Sequence, residues 1–117
     1  MEAYLFLGRA YEATGDYNYA STVYNSYLEK VKEDAGVYNQ LGLCEMKKGN
    51  YAVALSAFQS GMKLEDETMM QALRFNEAVA YEYMSEYQKA AVLMEEYLKI
   101  YPDDAKAKRE YEFLVTR

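Results

Sequence analysis

Residues Tyr38 to Phe58 read Tyr-Asn-Gln-Leu-Gly-Leu-Cys-Glu-Met-Lys-Lys-Gly-Asn-Tyr-Ala-Val-Ala-Leu-Ser-Ala-Phe, and this stretch decides the fold. Tyr38, Leu41, Gly42 and Glu45 fall on one face at helical spacing, Gly49 and Asn50 interrupt, and Ala54 and Phe58 resume on a second helix. That is how an αα-hairpin is written in sequence. Gly42 and Ala54 let two antiparallel helices approach closely, while Tyr38, Leu41, Tyr51 and Phe58 fill the wider space around them.

The stretch has copies on both sides. At an offset of thirty-four residues, Tyr4, Leu7, Gly8, Gly15, Tyr17, Ala20 and Tyr24 match Tyr38, Leu41, Gly42, Gly49, Tyr51, Ala54 and Phe58. A looser third copy, thirty-six residues beyond the second, carries Ala78, Tyr81, Tyr87, Ala90, Met94 and Pro102. This pattern resembles the tetratricopeptide repeat family, whose helix-turn-helix unit has that period and a W-x2-L-G-x2-Y…A-x3-F…P signature; Tyr stands where the family usually has Trp. The resemblance implies an all-α, right-handed superhelical stack of three hairpins and a C-terminal capping helix. Repeats are expected at 1–34, 35–68 and 69–104, with the cap at 105–117.

Seven helices are expected, near 2–14, 17–31, 35–48, 51–63, 69–84, 87–100 and 105–116. Gly15, Gly49 and Ser85 occupy the position that closes each first helix, so Ser85 is expected to take a left-handed conformation that suits Gly better. Asp34 and Asp103-Asp104 read as N-terminal caps, and Thr68 with Gln71 as a capping box. In the last helix Tyr111, Leu114 and Val115 are expected to face the stack, with Lys106, Arg109 and Glu112 in water.

Composition narrows the function. The 117 residues are enough for one continuous core. The net charge of −6, with thirteen basic residues scattered among nineteen acids, argues against a nucleic-acid partner. No apolar run is long enough to span a membrane, and no signal peptide is evident; a soluble, cytoplasmic location is favoured without being decided. The chain has no His and one Cys. Cys44 sits where Ala10 and Ala80 sit in the neighbouring copies, so it reads as a buried thiol with no base to activate it. The acids at 65–67 and 103–104 read as helix caps rather than metal ligands. No cofactor and no metal are expected, and the chain reads as non-enzymatic.

Stacked first helices in the family line a concave groove. The corresponding residues here are Leu5, Arg9 and Glu12; then Asn39, Leu43, Met46 and Lys47; then Phe75, Val79, Glu82 and Tyr83, with Gln40 and Asn76 at the margin. The expected partner is a protein or peptide segment whose side chains meet the apolar residues and whose backbone or carboxylates meet Arg9, Asn39 and Asn76. Among the Met residues, Met46 is the one expected to be exposed for such contacts. The alternative is a structural end segment of a longer solenoid with no dedicated ligand.

Family members that clamp the C-terminal carboxylates of heat-shock chaperones use a Lys-Asn…Asn…Lys-Arg set. The register here supplies Leu5, Arg9, Gln40, Ala72 and Asn76, so that clamp is not expected. Finally, Ala3 and Ala10, flanked by Phe6 and Leu7, are the equivalents of residues that a preceding hairpin should bury in the later copies. This face is expected to meet upstream repeats of a longer chain or to self-associate.

Overall fold

The structure, a computed structural model, describes residues 2–117, with the backbone alone for Glu2. Among the described residues it holds seven helices and no strand. They are α1 (Glu2–Ala13), α2 (Tyr17–Lys30), α3 (Ala35–Lys47), α4 (Tyr51–Met62), α5 (Glu67–Tyr83), α6 (Tyr87–Ile100) and α7 (Ala105–Val115). Each helix packs against the next, and α3 also touches α5 directly, giving an elongated stack of 43 × 27 × 20 Å.

The small residues act as the spacing predicts. A Cβ placed on Gly42 would lie 2.2 Å from Phe58 Cε1, and one on Gly8 would lie 2.5 Å from Tyr24 Cε1, so in both hairpins an aromatic ring rests on the bare backbone of the partner helix. Phe58, Leu73 and Met94 are wholly buried. Truncating such a side chain to Ala typically costs about 2–5 kcal/mol, because the cavity does not fully collapse.

All three hairpin turns are built alike. The N–H groups of Asp16, Asn50 and Glu86 each donate to the carbonyl five residues earlier, at 2.9 Å, across a residue with positive φ. That residue is Gly15 (82°), Gly49 (83°) and Ser85 (62°). This satisfies a carbonyl that the helix end would otherwise leave free.

The junctions between hairpins are not all alike. After α2 and α6 the chain leaves the helix at Val31 and Tyr101, with φ of −121° and −123°, and the next helix is capped by Asp34 or Asp104, whose carboxylates accept from the N–H groups of Val37 and Ala107, each at 3.1 Å. The junction between α4 and α5 uses a left-handed residue, Glu65 (φ 55°), and the cap is Asp66. Asp66 accepts from the Thr68 N–H (3.0 Å) and hydroxyl (2.7 Å), so α5 begins two residues before the expected start. The capping box expected from Thr68 and Gln71 does not form, because the nearby carboxylate takes the capping role and Gln71 donates instead to the Tyr97 hydroxyl at 3.1 Å.

The last helix also differs from expectation. Ala107 and Leu114 are its buried residues, with Tyr111 packed beside them, whereas Val115 is 54% exposed. Val115 follows Leu114 by one residue, about 100° around the helix, and so turns away from α6.

Candidate functional site: the concave face of α3, α5 and α7

A cavity of about 490 Å³ opens between α3 and α5 and reaches α7. Leu43, Met46 and Lys47 line it from α3, Phe75, Asn76, Val79 and Tyr83 from α5, and Lys106 from α7, with Phe58 behind them. A second cavity of about 370 Å³ continues the strip through Phe75, Asn76 and Lys106 to Thr68, Gln71, Ala72, Tyr97 and Asp104. The walls are mainly apolar, and Leu43 and Tyr83 are open to water. Tyr83 leans against Tyr51, ring centres 5.3 Å apart, which fixes one edge of the opening.

Seven of the residues assigned to the groove by register therefore share one cavity. The remainder are placed otherwise. Leu5 packs on the first core cluster and Arg9 is exposed. Glu12 is not a free contact, since it accepts from the Tyr24 hydroxyl and from Gln40 Nε2 (3.0 Å), which ties α1 to α2 and α3. Burial and then the Glu12 carboxylate raise the Tyr24 phenol well above its ordinary value. Gln40 is held by the same network. Asn39 and Asn76, expected to be available to a ligand, bond to each other, Asn76 Nδ2 donating to Asn39 Oδ1 at 2.8 Å, and Asn39 is buried. Met46 is half-buried in the cavity wall, while Met84 is the more open methionine.

Lys106 is exposed, as expected from the sequence, and also lines the cavity. It lies in the first turn of α7, with Nζ 5.2 Å from the centre of the Phe75 ring, close enough for a cation–π contact. The clue was positional: an N-terminal residue of the capping helix faces the end of the strip formed by α3 and α5.

Several ionisable groups are shifted by burial and by their neighbours. Burial works to raise the Glu45 carboxyl, but hydrogen bonds from Asn50 Nδ2 (2.9 Å) and Lys48 Nζ (3.1 Å) overcome it and hold the carboxyl below its ordinary value. Cys44 is 1% exposed and burial pushes its thiol up to about 12, with Glu12 and Glu45 adding to the effect, so it is a thiol and not a thiolate at neutral pH. At the α5–α7 contact, burial and the facing Glu110 push Glu82 up to about 7, against the opposing pull of Arg117. Among the described residues no cluster of His, Cys, Asp and Glu has the geometry to hold a metal ion, and no helix is long and apolar enough to cross a membrane.

A stack of helical hairpins with a groove along its first helices is the architecture of a repeat protein. The chain belongs to the tetratricopeptide repeat family: its models match residues 2–29, 35–68 and 71–104. Among solved structures it is similar to the second such domain of human RPAP3, in complex with the HSP70 peptide SGPTIEEVD, at 15% identity over 97% of this chain and 93% of that chain (TM-score 0.86). It is also similar to the Yersinia enterocolitica type III secretion chaperone SycD, in complex with a peptide of the translocator YopD, at 16% identity over 98% and 92% (TM-score 0.87). MamA matches at 23% identity over 97% of this chain and 65% of that chain (TM-score 0.87). These likenesses are of fold. No curated protein matches the sequence.

Proposed function

We propose that this chain is a non-enzymatic scaffold that holds a segment of another protein on the concave face of α3, α5 and α7. The observation that carries the reading is the 490 Å³ cavity, which gathers Leu43, Met46, Phe75, Val79 and Tyr83 from two helices into one apolar recess open to water. A recess of that size and lining suits the side chains of an extended or helical segment. Domains of the same fold in RPAP3 and SycD hold peptides, which supports the reading. The test is a quantitative pull-down with the tagged chain and its Leu43→Glu variant. Proteins recovered by the parent and lost with Leu43→Glu are expected; identical recovery would refute the groove.

A second surface favours self-association. Phe6 is 77% and Leu7 45% exposed, with Ala3 and Ala10 open on the same helix. In α3 and α5 the equivalent residues Val37, Cys44, Leu73 and Ala80 are buried by the preceding hairpin. Association through α1, with another copy or with further repeats, would cover this face. Ala3→Glu with Ala10→Lys is expected to lower the apparent mass in light scattering at high concentration. A parent chain that stays monomeric there would count against pairing between copies.

A further inference from the structure

We infer that the groove selects protein segments that carry a side-chain carboxylate beside a large apolar residue, and that Lys106 is the residue that reads the acid. The inference rests on the groove reading above and adds the chemistry of the occupant.

Charge is the first ground. The chain has nineteen acids and thirteen bases, yet the main cavity is lined by two lysines, Lys47 and Lys106, and by no acid. Asp104, which lines the adjoining recess, accepts from Tyr97 and from the Ala107 N–H. Glu12 is held by Tyr24 and Gln40. Among the described residues the only ion pair is Lys48 with Glu45, so neither groove lysine has an acid in ion-pair contact.

Position is the second ground. Lys106 stands exposed in the first turn of α7, where the helix dipole disfavours a cation and its charge helps to hold the Asp104 cap carboxyl down. Its ammonium lies over the Phe75 ring at the point where the two recesses meet. An apolar side chain entering between Leu43, Val79 and Tyr83 would leave a neighbouring carboxylate within the reach of this cation.

The test is selection of random twelve-residue peptides, displayed on phage with their C-termini fused to the coat protein, on the immobilised chain. Enriched peptides are expected to place Asp or Glu next to Leu, Phe or Met. Measured as free synthetic peptides by fluorescence anisotropy, they should lose about tenfold in affinity to Lys106→Glu. Lys63→Glu, on a lysine outside the groove, should change little, and thermal melts of both variants confirm that they fold. Peptides that Leu43→Glu abolishes, but that lack acids or bind Lys106→Glu as well as the parent, would overturn the inference and leave the groove standing. No enrichment, or peptides indifferent to Leu43→Glu, would overturn the groove itself and the inference with it.

Discussion

The Tyr97 hydroxyl donates to the Asp104 carboxylate at 2.5 Å, joining the last turn of α6 to the cap of α7. Seventy residues earlier Tyr27 makes the same bond to Asp34, at 2.8 Å, between α2 and α3. In both places one carboxylate oxygen caps the helix and the other receives the phenol. The intervening junction has Gly61 in place of the Tyr. A Cβ there would lie 3.0 Å from Leu73 and 3.1 Å from Tyr38, so these side chains fill the room that a phenol would need.

Removing the phenol probes this bond, and at Tyr97 it also releases Gln71, which donates to the same hydroxyl. Tyr97→Phe and Tyr27→Phe are each expected to destabilise the fold by about 1.5–3 kcal/mol, the range for a hydrogen bond to a charged group, measured by urea unfolding. The Asp104 carboxyl is held below its ordinary value by the Tyr97 bond and by the backbone at Ala107. Its contribution is therefore present above the unfolded carboxyl's pKa and is lost as pH falls through the lower, folded one. The cost of Tyr97→Phe should shrink in acid.

Ser85 closes α5 at φ 62°, where its counterparts are Gly. Ser85→Gly is expected to stabilise by up to about 1 kcal/mol, since the relief of the left-handed strain is partly offset by the greater freedom of Gly in the unfolded chain. A thermal midpoint equal to or below the parent's would refute this.

The facing carboxyls of Glu82 and Glu110 predict the opposite pH dependence from Asp104. With Glu82 pushed up to about 7 by burial and by Glu110, the folded state binds its proton more tightly than the unfolded state does. Stability from this group is complete below the ordinary glutamate pKa and is lost as pH rises through about 7. Glu82→Gln should therefore raise the thermal midpoint relative to the parent at pH 8 more than at pH 5. An equal shift at both would show that the pair does not titrate as a unit.

The chaperone-tail clamp remains an expected absence. Leu5 packs into the core cluster, Gln40 is bound to Glu12, and Ala72 stands where a cation would be required. Any binding of the peptide SGPTIEEVD, which carries an acid beside Ile, should survive amidation of its C-terminus in calorimetric titration, and loss of binding on amidation would show that the clamp forms.

The hairpins were legible in the sequence because their determinants are local: a bare backbone under a ring, a residue able to take positive φ, a carboxylate before a helix. Helix ends fell within two residues even at α5, where Asp66 and Thr68 both qualify as caps and only the geometry separates them. The groove was legible in outline, since register alone places Leu43, Phe75, Val79 and Tyr83 together. What register does not carry is pairing between side chains far apart in sequence. Asn39 and Asn76 meet across thirty-seven positions, and Glu12 meets Gln40 across twenty-eight, so groups that looked free are engaged. Lys106 was missed for a related reason: the capping helix lies outside the repeat, and no second copy of it shows which way its residues turn.

Cys44, sealed between α2 and α3, gives the molecule a built-in gauge of its own opening. A chain with one thiol reacts with a thiol reagent at one site, and this site is closed while those two helices are packed. The labelling rate then reports how often that interface parts, and its dependence on denaturant separates a local breach from unfolding of the whole stack. A partner seated on the groove, which α3 lines with Leu43 and Met46, can be followed through the same clock, as a slowing of the reaction if its binding tightens the stack.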